Sequence, residues 1–218
     1  MPASYFAQMY EYYDGAKYNF DWDSVRKGYE KTHAQWGADV SQHMGDYFRG
    51  RKVLELACGG GFWTRYIAAT AEAVVATDIA AWTTEIGPEF APQDNVSFFQ
   101  CDARDLSPIA GQFDAAFHYN FINHVPYDDW SKVLDELHTK LTPGARVLMG
   151  GQQFRGEHQD PDSADFYSLR TCDNGKTFKL IDNIPDEERV SALLGSRGIL
   201  REYDGSDGGW WVKYEVIA

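Results

Sequence analysis

The sequence predicts an α/β protein whose core is a doubly wound, mostly parallel sheet of seven strands. Short apolar runs alternate with helical runs between residues 51 and 149, the pattern of a parallel sheet covered on both faces. A glycine-rich turn, Gly59–Gly61, follows the first apolar run. Two final apolar runs, 199–203 and 210–217, flank a short glycine-containing loop and therefore predict an antiparallel C-terminal pair.

The individual elements follow from periodicity and from breaking residues. Residues 4–48 are rich in aromatic side chains, and from Asp23, a suitable N-cap, their apolar residues recur with helical spacing. This segment is predicted to form an N-terminal helical lid. Five strands are predicted at 51–56, 73–77, 96–100, 113–117 and 145–149. Helices are predicted at 62–71, 80–86, 127–141 and 186–194. Gly87-Pro88 is expected to stop the second helix, and Thr142-Pro143-Gly144 the third.

The length of 218 residues fits one domain, 1–218, in four parts. The lid covers 1–48 and the ligand-binding core 49–150. Residues 151–174 are polar and acidic, which predicts an inserted loop or lid over 151–183. A helix and the antiparallel strands complete the chain over 184–218.

Composition argues against several classes of protein. The net charge is -13, with 33 acidic and 20 basic residues, which disfavours nucleic acid and anionic membranes as partners. No apolar run approaches the roughly 20 residues that span a bilayer, and residues 1–10 lack the features of a signal peptide. Three cysteines without metal-type spacing favour reduced thiols and a cytoplasmic protein.

The glycine turn carries the most specific signal. A dinucleotide fingerprint would need a small residue at position 62, where this chain has Phe62. The small residues are instead Ala57, Gly59 and Gly61, and Glu55 lies two positions before them. A carboxylate beside the turn suits a cationic ligand better than a pyrophosphate.

This arrangement resembles the motif E/D-x-G-x-G-x-G of class I S-adenosylmethionine-dependent methyltransferases, with Ala57 in place of the first glycine. The resemblance covers residues 50–217 and implies a Rossmann-like fold that binds S-adenosylmethionine and releases S-adenosylhomocysteine. By the same resemblance, Glu55, Ala57, Gly59 and Gly61 contact the cofactor. Asp78, which lies 23 residues after Glu55, is expected with Ile79 at the ribose. Asp102 is expected with Ala103 at the adenine.

The segment after the fourth strand, His118 to Pro126, corresponds to the part of the family that faces the transferred methyl group. It lacks N/D-P-P-Y, which argues against adenine or glutamine as acceptors and for small-molecule members. His124 is the first candidate for a catalytic base. His118 is the second and is also a candidate cofactor contact. Tyr119, Asn123 and His124 are the candidate substrate-binding residues, although either histidine could simply shape the pocket.

Aromatic residues of the lid and an acidic segment at 157–162 each allow a functional and a purely structural role. Tyr18 and Tyr29 are expected to contact the cofactor from the lid, where aromatic faces favour a sulfonium. Packing of the lid onto the sheet explains most of the other lid aromatics. Glu157, His158, Asp160 and Asp162 are read as an exposed acidic loop, so no metal is predicted.

The predicted function is transfer of a methyl group to an aromatic or heterocyclic small-molecule O or N acceptor from secondary metabolism. The protein is expected to be a monomer or homodimer. One alternative is an NAD(P)-dependent oxidoreductase, which Phe62 and the antiparallel C-terminal pair disfavour. The other is a non-catalytic S-adenosylmethionine-binding interaction protein.

Overall fold

A computed structural model describes residues 5, 7–13, 27, 31, 44–152, 155–172, 175–205 and 209–217. Residues 7–13 and 44–48 are helical. The predicted cofactor contacts Tyr18 and Tyr29, and the predicted helix cap Asp23, lie outside the described residues. Among the residues described, no helix has the length and apolar character needed to cross a membrane.

The predicted sheet is confirmed. Its strands are β1 (Lys52–Leu56), β2 (Ala73–Asp78), β3 (Val96–Gln100), β4 (Phe113–Tyr119), β5 (Leu141–Gln152), β9 (Gly198–Asp204) and β10 (Gly209–Val216). Their order in the sheet is β3-β2-β1-β4-β5-β10-β9. The first five are parallel, and β10 runs antiparallel to both β5 and β9. From β1 the chain adds β2 and β3 on one side and then β4 and β5 on the other. In such folds, ligands bind at the carboxyl ends of the strands where this change of direction occurs.

Helices cover both faces of this sheet. They are α1 (Thr64–Ala68), α2 (Thr83–Phe90), α3 (Tyr127–His138) and α4 (Glu187–Leu194). Helix α3 buries one apolar stripe, formed by Trp130, Val133, Leu134 and Leu137. One core cluster contains this stripe, and a second, on the other face, contains α1 and the helical residues 44–48.

Two predicted helix ends are wrong. Helix α2 continues through Pro88 to Phe90 instead of stopping at Gly87. A Cβ at Gly87 would lie 2.4 Å from the ring of Phe98, so the bare backbone packs closely on β3, and this contact supports the helix past the proline. Helix α3 ends at His138, because Leu141 already pairs with Phe113 as the start of β5. The irregular pairing that follows accommodates Pro143 within the strand.

Residues 155–183 hold more regular structure than the predicted polar loop. They form a second antiparallel sheet, β6 (His158–Gln159), β7 (Phe166–Thr171) and β8 (Thr177–Ile181), which we call the small sheet. Within β8, the side chains of Phe178, Leu180 and Ile181 are buried. The acidic residues of the segment concealed this apolar strand in the sequence pattern.

Two glycines of β5 lie opposite two tryptophans of β10. Gly150 pairs with Trp211 and Gly151 with Trp210. A Cβ at Gly150 would lie 2.4 Å from the Trp211 ring, and one at Gly151 would lie 2.8 Å from Nε1 of Trp210. The two indoles therefore pack directly against backbone, one on each face of the sheet.

Candidate functional site

The turn from β1 to α1 has the backbone of a close-approach site. Ala57, Gly59 and Gly61 have positive φ angles of 52°, 53° and 82°. Such angles cost little for glycine but strain an alanine. A Cβ at Gly59 would meet nothing within 4 Å, so the missing side chain leaves open space above the turn. A ligand can therefore approach the backbone there.

Glu55 is buried directly before this turn, with 1% of its surface exposed. Its Oε2 atom has no hydrogen-bond partner among the described residues. Burial, helped by the nearby negative charge of Asp78, raises the pKa of Glu55 to about 8. A cationic group would supply the missing partner and stabilise the carboxylate.

Asp78 is the last residue of β2, and its carboxylate accepts a hydrogen bond from the same turn. Its Oδ2 accepts a hydrogen bond from the Gly59 amide at 2.9 Å, and its Oδ1 accepts one from the Ala80 amide at 2.9 Å. Burial raises the pKa of Asp78, while these amide hydrogen bonds oppose the rise. Each carboxylate oxygen accepts more than one hydrogen bond, so both can still receive ligand hydroxyls.

Asp102 follows β3 at the same edge, but its carboxylate is already engaged. The Arg104 amide and Nε each donate to Asp102 Oδ1 at 2.9 Å, and the guanidinium also contacts Oδ2. Ile79 and Ala103 are half-buried beside Asp78 and Asp102. Contact of Asp102 with an adenine amino group would require sharing this carboxylate with Arg104.

His118 lies in an apolar environment near the carboxyl end of β4. It is 3% exposed, packs edge-on against Phe121, and its Nδ1 has no hydrogen-bond partner among the described residues. Burial lowers the pKa of His118 to about 3. The ring is therefore neutral and weakly basic, which suits a pocket-lining role better than proton removal.

His124 lies in the short 3₁₀ turn Ile122–His124 and is held through one ring nitrogen. Its Nδ1 is 2.7 Å from the carbonyl oxygen of Ile181 and 3.3 Å from Oδ1 of Asp182. Both neighbours are acceptors, so Nδ1 carries the proton and donates it. The neutral ring then keeps its lone pair at Nε2, where a base needs it.

The remaining substrate candidates separate in space. Asn123 is buried beside His124, and its Oδ1 has no hydrogen-bond partner among the described residues. Tyr119 points to the opposite face from His118, because successive strand side chains alternate. There it packs against Trp63 at 4.7 Å and Trp211 at 5.3 Å between ring centroids. We call Trp63, Tyr119 and Trp211 the aromatic trio.

Sequence reasoning missed three buried polar residues that flank the strands of the small sheet, close to the loop that carries His124. Asp165, Asp182 and Asn183 are all buried, although the sequence places them in an acidic stretch that reads as exposed. The one signal was the polar pair Asp182-Asn183 directly after an apolar strand. Nearby, Asp160 is paired with Lys179 at 2.5 Å. Over the described part of the chain, no three His, Cys, Asp or Glu side chains are grouped closely enough to hold a metal ion.

Comparison with known proteins finds matches to the core of this chain. The family described as a methyltransferase domain matches residues 53–144. A demethylmenaquinone methyltransferase from Clavibacter sepedonicus is 35% identical over 102 residues, which cover 46% of this chain and 40% of the relative. A ubiquinone biosynthesis O-methyltransferase from Acinetobacter baumannii is 30% identical over 103 residues, covering 45% and 43%. The matched stretches thus span less than half of these curated relatives.

Solved structures share the fold over more of the chain. The DhpI complex with SAH has a TM-score of 0.80 at 22% identity, covering 100% of this chain and 99% of that one. A SAM-dependent methyltransferase from Methanosarcina mazei has a TM-score of 0.66 at 20% identity, covering 79% and 95%. These likenesses extend beyond the matched core to the strands that follow it.

Proposed function

We propose that this chain is a class I S-adenosylmethionine-dependent methyltransferase that methylates a small molecule, and the match of residues 53–144 to a methyltransferase-domain family supports this proposal. The observation that carries the proposal is the pair of carboxylates, buried Glu55 and half-buried Asp78, at the ends of adjacent strands beside an open glycine turn. A cationic nucleoside cofactor fits this site. The unpartnered Glu55 oxygen suits its positive charge, and Asp78 suits its ribose hydroxyls.

When bound, S-adenosylmethionine supplies an activated methyl group on a sulfonium. The backbone of Ala57, Gly59 and Gly61 would hold it at the turn, with Asp78 and Ile79 near the ribose. Asp102 and Ala103 would lie near the adenine, where the carboxylate of Asp102 is shared with Arg104. His118 would line the site as a neutral ring. Tyr18 and Tyr29 remain proposed contacts from the lid.

His124 is the proposed base for an acceptor that must lose a proton. The acceptors around Nδ1 leave Nε2 free to receive that proton. Asn123, buried next to His124, offers an unpartnered oxygen to an acceptor hydroxyl or amine. Since displacement at a sulfonium needs mainly alignment, this loop's chief contribution is to orient the acceptor.

The proposed acceptor is an aromatic or heterocyclic O or N nucleophile. The half-buried aromatic trio offers ring faces at the carboxyl edge of the sheet, and Tyr119 is its proposed substrate contact. The relatives named for ubiquinone biosynthesis are O-methyltransferases, which supports an oxygen acceptor. Free Cys58, Cys101 and Cys172 favour a reducing, cytoplasmic location.

Two measurements test this proposal. Calorimetry with S-adenosylhomocysteine should show binding, whereas NADH should give none. Methyl transfer is then assayed with S-adenosylmethionine against a panel of phenols, catechols, hydroxylated heterocycles and aromatic amines. Binding of NADH without S-adenosylhomocysteine would refute the cofactor assignment. Silence across the panel, despite cofactor binding, would favour a non-catalytic binding protein.

A further inference from the structure

Two tripeptides from different parts of the chain are joined at His124. Ile181-Asp182-Asn183, at the end of β8, contacts Asn123-His124-Val125. The Asn183 amide donates to the Asn123 carbonyl at 2.8 Å, and its side-chain Nδ2 donates to the Val125 carbonyl at 3.2 Å. The hydroxyl of Tyr5 donates to the His124 carbonyl at 2.9 Å and accepts from the Ile181 amide at 3.1 Å. All three carbonyls of residues 123–125 are thus held from outside their own loop.

The same tripeptide reaches the imidazole. Ile181 offers its carbonyl to Nδ1 at 2.7 Å, while Asp182 places Oδ1 3.3 Å from the same nitrogen. The Asp182 side chain is only 4% exposed. Although its burial acts in the other direction, hydrogen bonding by His124 helps to lower the pKa of Asp182, so a negative charge persists beside the ring.

The other groups around His124 do not replace that charge. The ring of Tyr13 lies 6.1 Å away between centroids, and Tyr5 is a neutral phenol whose pKa burial raises. Arg170 faces the other oxygen of Asp182, at 3.5 Å. It is 43% exposed, so water screens its effect on the pair. Asp182 is therefore the buried anion in contact with the imidazole.

We infer that Asp182 is a positioning residue for His124. The two form a His–Asp pair, in which the base, His124, lies in the turn after β4 and its carboxylate partner, Asp182, directly follows β8 of the small sheet. Ile181 fixes which nitrogen donates, and Asp182 favours the ring when it has taken up the acceptor's proton at Nε2. The inference rests on the proposed function, since it assumes that His124 is the base. The contact itself is independent of any acceptor.

The test uses Asp182→Asn, which keeps the shape and an acceptor oxygen but removes the charge. Asp165→Asn is the matched control, because Asp165 is equally buried and bonds Asn183 but does not contact His124. Nitrogen NMR of the full-length protein, with S-adenosylhomocysteine present, should find the neutral His124 proton on Nδ1 in all three proteins. The midpoint of the His124 ring titration should fall by about 1 pH unit in Asp182→Asn only.

Given an acceptor from the panel, the acid limb of the kcat profile should shift by the same amount. Turnover should fall roughly 3- to 10-fold with KM little changed. Equal midpoints in Asp182→Asn and wild type, with the ring still seated at Ile181, would overturn the inference. A shifted titration together with unaltered methyl transfer would keep the His–Asp contact and instead reject His124 as the base.

Discussion

Among single residues, Asp78 links the cofactor proposal to a measurable affinity. Asp78→Ala removes the proposed ribose contacts and the clasp on the Gly59 amide. We expect S-adenosylhomocysteine to bind more weakly by about 1–3 kcal/mol, measured by calorimetry. Asp94→Ala, an exposed acid in the loop before β3, is the control and should leave affinity unchanged. Equal affinities for the two variants would refute the ribose assignment.

Glu55 gives a pH dependence of stability. Its pKa rises from 4.5 to about 8 on folding, so the native state binds more protons between these values. Stability contributed at this site is therefore present below about pH 4.5 and is lost as the pH rises through about 8. Glu55→Gln should lack that loss. Urea unfolding at both ends of this window, compared between the two proteins, checks the sign.

His124 separates catalysis from cofactor binding. His124→Ala should lower turnover by about 100-fold if the ring is the base, because a positioned general base typically contributes at least that factor. S-adenosylhomocysteine affinity should stay nearly intact. A turnover assay measures the first effect, and calorimetry with S-adenosylhomocysteine on the same sample measures the second. Wild-type turnover in the variant would place His124 outside the acceptor site.

At the scale of elements, the small sheet caps a helix of the core. Helix α3 begins after Pro126, which offers no capping side chain, and Asp165 instead accepts a hydrogen bond from the Tyr127 amide at 2.9 Å. Asp165 also bonds Ser163 and Asn183, so it ties β7 to the helix. The second sheet and α3 are therefore mechanically connected through one carboxylate.

Asp165→Ala should lower the free energy of unfolding by roughly 1–3 kcal/mol, since it removes the cap and leaves buried donors unpaired. Chemical denaturation measures the loss. Asp128→Ala, an exposed acid in the first turn of the same helix, is expected to change stability by less than about 0.5 kcal/mol. Similar losses in both variants would show that helix-dipole effects, rather than the cap, dominate.

For the whole molecule, cofactor binding should raise stability by mass action. S-adenosylhomocysteine at about 100 times its dissociation constant should stabilise the native state by roughly 2.7 kcal/mol. Melting curves with and without the ligand check this, and Asp78→Ala should show a smaller shift at the same concentration. NADH serves as the ligand control. Stabilisation by NADH alone would contradict the proposed function at the level of the intact protein.

The sequence predicts the sheet well because its signals are local. Glu55, the glycine turn and Asp78 occur at fixed distances along the chain, and parallel strands bring them to one edge. The small sheet was missed because its evidence is tertiary. Asp165 and Asp182 look like solvated acids until the fold buries them against Tyr127 and His124. The end of α2 was missed because a contact with Phe98 outweighs the local effect of Pro88.

The facing pairs Gly150-Gly151 and Trp210-Trp211 have a consequence for how this protein can diverge. The Cβ of an alanine at either glycine would clash with an indole. Replacement of a tryptophan by a smaller residue would leave a cavity, which a larger residue at the facing glycine position would be needed to fill. Single replacements are therefore unfavourable in either order. Among relatives, these four positions should covary, with bulk exchanged from one strand to the other while the summed volume of each pair is conserved.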